Sequence, residues 1–283
     1  MNHPEHEKNS SAVESLDSTQ DKRPSSHSEW QYFLSAVMFY TRIPVPRYTQ
    51  HSQRILNKSR KYFSLIGVII GSFGVLTFSL AALFFTNGIS LAISMIATIL
   101  LTGAFHEDGF ADTCDGLGGG WSKEQVLTIM KDSRVGTYAT VGLISILGLK
   151  FLLLLDISSN ANIAVFALTY ICGHSFSRQL SSSVIERYEY VQDIDTSKVK
   201  PITAKHLSVR DQQISMLITA LPLLLLATQY FIATVAACLA AALAAFLFMR
   251  YCKQRIGGYT GDILGATQQL SEVMFYLIAL ALI

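Results

Sequence analysis

From Ile214 to Met249 the chain runs 36 residues without a charged side chain. A helix rises about 1.5 Å per residue and the hydrocarbon core of a bilayer is about 30 Å thick, so one crossing takes roughly 20 apolar residues. The run therefore holds two tightly connected spans, with the turn expected near Gln229-Tyr230. The composition agrees: 51% of residues are hydrophobic and 15% charged, against about 25% charged in average soluble domains.

Shorter apolar stretches complete the pattern. Leu65 to Phe85 and Ile89 to Phe105 read as a helical hairpin around Asn87-Gly88, and Thr137 to Leu155 with Ala161 to Phe176 as a second one around Ser158-Ser159-Asn160. Val273 to Ile283 crosses only if its helix begins upstream, near Gly265. Trp30 to Tyr40 is too short to cross and, ahead of Pro44 and Pro46, reads as an interfacial helix or one packed on the bundle. The expectation is an all-α polytopic transmembrane helix bundle of about six to seven spans.

Residues 1–29 are polar, rich in Ser, Glu, His and Lys, and lack the apolar region of a signal peptide, so a disordered tail is expected there. Residues 30–283 then form one integral membrane catalytic domain. Cys114, Cys172, Cys238 and Cys252 are scattered without a CxxC pair, which suggests neither a disulfide framework nor a thiolate zinc site.

Lys and Arg accumulate in cytoplasmic loops. With six spans starting inside, 21 of the 22 Lys and Arg residues fall on one side and only Lys150 lies within a span. The one-sided distribution of that charge is expected to put the polar motifs at the cytoplasmic face. Lys150 costs about 2.5–3.5 kcal/mol if it is central in its span, and its role is open. The net charge of +2 gives no electrostatic case for nucleic acid, and no such partner is expected.

The string FHEDGFADTCDGLGGG begins at Phe105, where the second span leaves the membrane. Asp108, Asp112 and Asp115 stand at i, i+4 and i+7, which on a helix gathers three carboxylates into one stripe. Like charges at that spacing repel, so the stripe calls for a cation, and hard oxygen ligands without cysteine point to Mg²⁺ or Mn²⁺. Glu107 falls on another face and is a candidate for a metal's outer shell, and His106 reads first as an interfacial histidine. Gly109, Gly116 and the run Gly118 to Gly120 leave backbone open to a bulky phosphorylated ligand.

Two more polar strings lie on the same side. In KDSRVGTY, from Lys131, Asp132 is a candidate to complete a metal cage, while Lys131 and Arg134 are candidates for phosphate oxygens, or simply loop cations. In GGYTGDILGA, from Gly257, Asp262 either caps a helix or binds ligand. Upstream, TRIPVP with Arg42 precedes Arg54, Lys58, Arg60 and Lys61, a basic strip for lipid headgroups or substrate. His174 and Arg178 are expected near the cytoplasmic end of the fourth span, where Arg can snorkel.

Taken together, TRIPVP, FHEDGFADTCDGLGGG, KDSRVGTY and GGYTGDILGA resemble, in order and spacing, the cobalamin synthase family over roughly residues 30–283. The resemblance implies a multi-pass enzyme of the bacterial inner membrane that needs Mg²⁺ and joins adenosylcobinamide-GDP to α-ribazole or its 5′-phosphate, releasing GMP. It implies Asp108, Asp112, Asp115 and Asp132 as metal-side carboxylates and Glu107 as a further ligand or base. Arg134 and Asp262 would position phosphate and nucleoside groups, with Lys131, Gly116 and Gly119 in the ligand-binding set and Asp112 and Arg134 at the chemistry. Two positions depart from the family's pattern: Ser64 where Pro is frequent and Gln269 where Glu is frequent. Gln269 puts in doubt any catalytic role carried over to that position.

Two other functions share parts of this pattern. A CDP-alcohol-type phosphotransferase keeps an aspartate-rich metal site beside a span and changes the acceptor. An ion-coupled transporter usually places its charged groups near the midplane on broken helices, whereas here they cluster at the span ends. The sequence leaves the oligomeric state open.

Overall fold

Residues 28–50, 52–192 and 206–283 are described by the computed structural model. The tail expected over residues 1–29 lies, apart from Ser28 and Glu29, outside the described residues. The elements in chain order are α1 (Glu29–Tyr40), α2 (Gln53–Ser59), a 3-10 turn (Arg60–Tyr62), α3 (Phe63–Ala81), α4 (Asn87–Thr102) and α5 (Phe105–Gly119). They continue with α6 (Lys123–Lys131), α7 (Thr137–Asn160), α8 (Ile163–Arg187), α9 (Val209–Ala227), α10 (Phe231–Ile256) and α11 (Gly261–Leu282).

Among the described residues, five helical segments are long and apolar enough to cross a membrane: 53–81, α7, α9, α10 and α11. The pair α4 and α5, bent by 87°, makes a sixth if it is one broken span. The chain is thus an all-α polytopic bundle. The C-terminal span forms because its helix starts at Gly261, upstream even of Gly265. Helix α8 has 25 residues, enough for a crossing, yet it falls short in apolarity because its second half reads SFSRQLSSSVIER. That half faces protein: His174, Ser175, Ser177, Arg178, Ser181 and Ser182 are all buried.

Helix α10 shows how the bundle meets its solvent. Ala233, Ala237, Ala241 and Ala245 are buried at four-residue spacing, while Leu239, Leu243, Phe246 and Leu247 are each more than half exposed. Small residues inside and large apolar ones outside suit a helix whose surroundings are lipid, since close backbone approach rather than hydrophobic exclusion holds such helices together. The same logic joins α3 to α8. A Cβ at Gly67 would meet the His174 carbonyl, and one at Gly71 would lie 2.8 Å from Ile171 Cα.

The turns fall slightly away from where the polar dipeptides suggest. Asn87-Gly88 opens α4 rather than forming the turn, because α3 already ends at Ala81. Ser158-Ser159-Asn160 completes α7, and the break comes at Ala161-Asn162, where the Asn162 side chain accepts from Ala164 N and Val165 N at 3.0 Å and so caps α8. The Gln229-Tyr230 turn stands between α9 and α10 as read. Helix α1 packs on the bundle through Tyr32, Leu34, Ala36, Val37 and Tyr40.

The elbow between α4 and α5 decides where the acidic string points. Gly103 (φ 68°) and Ala104 (φ 57°) are both left-handed, and the Arg42 guanidinium covers Gly103 so closely that a Cβ there would collide with it. A left-handed alanine costs about 1–2 kcal/mol, part of which glycine would return as unfolded-chain entropy. Ala104→Gly is therefore expected to stabilise the protein by about 1 kcal/mol, raising Tm by about 2–4 °C in a detergent thermal-shift assay. A lowered midpoint would mean that the elbow stores no strain.

Candidate active site

Helix α5 puts the acidic string on a helix as its spacing required. Along the stripe, Asp108 is exposed, Asp112 half-buried and Asp115 buried. That gradient separates their surroundings. Both oxygens of Asp115 are occupied by the start of α7: Gly136 N donates to Oδ2 at 2.6 Å and Ala139 N to Oδ1 at 2.9 Å. The first amides of a helix have no partner within it, and α7 has no side-chain cap of its own, so a carboxylate from α5 serves instead. Sequence spacing put Asp115 with the metal-side carboxylates; tertiary packing gives it an α7-anchoring contact.

Asp132 and Arg134 engage each other. Arg134 Nε and Nη2 donate to Asp132 Oδ2 at 3.0 and 2.6 Å, and Arg134 N to Oδ1 at 3.1 Å. That hydrogen-bonded carboxylate holds the guanidinium above its ordinary pKa. The pair is exposed on the Arg side (89%), so its fork can exchange one anionic partner for another. Lys131, also exposed, ends α6 beside it. Gly119 is exposed, whereas Gly116 is buried under α6, where a Cβ would lie 2.5 Å from Met130 Cγ. Gly116 thus lets α5 and α6 pack together.

Asp262 is not the cap of α11. Thr260 takes that role, its hydroxyl accepting from Ile263 N at 3.2 Å, which leaves the Asp262 carboxylate in the first helical turn. The loop before it is fixed by Val191 N to Tyr259 O (3.0 Å) and Tyr259 N to Glu189 O (2.9 Å). Helices α5 and α11 approach closely through two glycines. A Cβ on Gly109 would lie 2.9 Å from the Asp262 carbonyl, and one on Gly265 would lie 3.1 Å from the His106 carbonyl. This contact brings Asp262 within electrostatic reach of Asp108.

Glu107 turns the other way, into the bundle. Its Oε1 accepts from Gln269 Nε2 at 2.9 Å, and it lines a small cavity with Lys150, Arg178 and Glu272. His106 is 2% exposed and stacks on Phe63 at 5.9 Å. His174 and Arg178 lie well inside helix α8 and are buried rather than snorkelling, because α8 continues eleven residues past Phe176 to Arg187. The interior polar partners of α11, Gln268, Gln269 and Glu272, were not singled out as a group by sequence. Their signal is one helix-turn spacing of polar residues inside an otherwise apolar C-terminal segment.

Among the described residues, no three His, Cys, Asp or Glu side chains are grouped to hold a metal ion. Mg²⁺ does not need such a cage, since it keeps several waters and is usually bound through one or two carboxylates plus substrate phosphates. Asp108 and Asp112, one turn apart with Asp262 close by, offer the hard oxygen donors that this mode uses.

A family model described as Cobalamin-5-phosphate synthase matches residues 32–280. The chain is 42% identical over 251 residues to the adenosylcobinamide-GDP ribazoletransferase of Vibrio cholerae serotype O1, covering 89% of this chain and 94% of that one. It is 42% identical over 251 residues to the protein of the same name from Shewanella frigidimarina (88% and 94% covered). The one from Shewanella pealeana is 40% identical over 250 residues (88% and 95% covered). No solved structure matches the chain.

Proposed function

Because the chain belongs to the Cobalamin-5-phosphate synthase family, we propose that it is an adenosylcobinamide-GDP ribazoletransferase that completes the nucleotide loop of a cobalamin. The observation that carries this reading is the near-full-length similarity to relatives of that name. The acceptor is α-ribazole or its 5′-phosphate, giving the cobalamin or its 5′-phosphate. A ribose hydroxyl of the acceptor forms a bond to the phosphorus that carries the cobinamide. The pyrophosphate P–O bond breaks, GMP leaves with that oxygen, and the hydroxyl proton is released.

Asp108 and Asp112, with Asp262 beside them, would hold a divalent ion, Mg²⁺ or alternatively Mn²⁺. When bound, that ion supplies positive charge to the pyrophosphate oxygens. Arg134, freed from Asp132, and Lys131 bind phosphate oxygens at the rim, the former in bidentate fashion. Gly119, exposed between Gly118 packed on Tyr138 and Gly120 packed on Val126, is the glycine that leaves backbone open to the nucleotide, and Asp262 orients it. Glu107 faces the interior chamber and acts on the site from below rather than as a member of the exposed stripe. The sorting of cations supports a site on the cytoplasmic face of the bacterial inner membrane.

Detergent-purified protein given adenosylcobinamide-GDP and α-ribazole is expected to form GMP with Mg²⁺ and not in EDTA. Parallel reactions with the 5′-phosphate acceptor rank the two acceptors, and reactions with Mn²⁺ rank the metals. Folded protein that releases no GMP with either acceptor and any divalent ion would falsify the assignment.

A further inference from the structure

The bundle interior carries charge at mid-helix depth. Lys150 lies near the middle of α7, His174 near the middle of α8 and Glu272 near the middle of α11. Lys150 Nζ is 2.5 Å from Glu272 Oε1, with side chains 5% and 0% exposed. The same carboxylate accepts from the Tyr276 hydroxyl at 3.1 Å and from the Gln268 amide, which also donates to Ser177 Oγ at 3.0 Å. Arg178 Nη1 donates to His174 Nδ1 at 3.1 Å and to the His174 carbonyl at 2.9 Å. One position after Gln268, Gln269 donates to Glu107 of α5 at 2.9 Å.

Two carboxylates, Glu107 and Glu272, thus face two cations, Lys150 and Arg178, around one small cavity. Glu107 Oε2, Gln269 Oε1, His174 Nε2 and Arg178 Nε are buried there without a hydrogen-bond partner among the described residues. Ionisable groups inside a membrane bundle are costly and mark function by default. A buried ion pair is also a poor stability device, because apolar residues of similar volume usually serve as well or better. What the network does offer is geometry. It ties α7, α8 and α11 together and reaches α5 through Gln269 and Glu107, immediately beside Asp108.

We propose that Lys150 and Glu272 are positioning residues for the transfer: their ion pair sets the rotation and depth of α11 and, through the Gln269–Glu107 hydrogen bond, those of α5. Asp108 and Asp112 then meet Asp262 in a fixed relation across the Gly109–Gly265 contact. The catalytic part of this inference rests on the transferase reading above, while the structural part does not.

The test uses the full-length protein with Lys150→Met and Glu272→Gln combined, which removes both charges at similar volume. The expected result is a thermal midpoint at or above the wild type, kcat for GMP formation lowered at least tenfold, and KM for adenosylcobinamide-GDP within threefold. Amide hydrogen exchange in α5 should quicken at least threefold while that in α10 is unchanged. A double variant with wild-type kcat and wild-type α5 exchange overturns the proposal, as does a fall in kcat that only tracks loss of folded protein.

If the double variant does not accumulate, Tyr276→Phe decides, since it deletes the hydroxyl shared between Glu272 and the Tyr170 carbonyl without leaving a charge alone. A kcat lowered at least threefold at constant KM supports the proposal, and an unchanged kcat overturns it. Should the wild type itself release no GMP, the transferase reading fails and the exchange measurement alone judges the positioning role.

Discussion

Asp112→Ala is expected to lower the rate of GMP formation by about 10²–10³-fold, the usual loss when one preorganised electrostatic element is removed from a phosphoryl or acyl transfer site. Asp112 is the half-buried middle member of the α5 stripe, one turn from Asp108. In the proposed site it is the carboxylate that would meet both metal and substrate phosphate. Asp112→Asn keeps the shape, removes the charge and should lose nearly as much. Rates should be taken at saturating Mg²⁺ and substrate beside a thermal-shift trace, so that lost chemistry is read separately from lost fold. Retention of more than a third of wild-type activity by either variant would remove Asp112 from the reaction.

Asp115→Ala is expected to act on stability first. It strips two amides, the half-buried one of Gly136 and the buried one of Ala139, of a charged acceptor. Each hydrogen bond to a charged group is worth about 1.5–3 kcal/mol, and orphaned donors add a desolvation cost. A loss of about 2–4 kcal/mol follows, seen as a fall in Tm of roughly 5–15 °C and poorer recovery of detergent-solubilised protein. Asp115→Asn, which keeps one acceptor oxygen, should fall between. An Asp115→Ala protein as stable as the wild type but inactive would return Asp115 to the metal-side set. Together the two substitutions separate members of one stripe that sequence spacing treats as equivalent.

The acidic stripe was legible because helical periodicity acts over seven residues and needs no tertiary information. Which carboxylate faces solvent and which faces a neighbouring helix was not, since that depends on where α7 begins relative to α5. Asp262 was likewise found as a polar residue at a span end. Its release from capping depended on where α11 begins: with the helix starting at Gly261, Thr260 stands at the cap although aspartate is the stronger capping residue. The burial of His174 and Arg178 was not legible, because hydropathy registers polar residues as a boundary. Inside a bundle, polar residues can be covered by other polar residues, and α8 continues through them.

By itself, then, the order of residues determined that this chain is a multi-span helical bundle, which ends of its spans carry the acidic and basic strings, and which family it belongs to. Those follow from the cost of placing charge and open backbone in hydrocarbon and from motifs that are contiguous in the chain. Tertiary structure alone decided that α5 turns by 87° at a left-handed pair, and that Gly109 and Gly265 bring Asp262 to the stripe. It alone paired Lys150 with Glu272 and Glu107 with Gln269. Each of these joins residues distant in sequence, and the physical reason they meet is close packing: a missing Cβ or a matching charge counts only once two helices have come into contact.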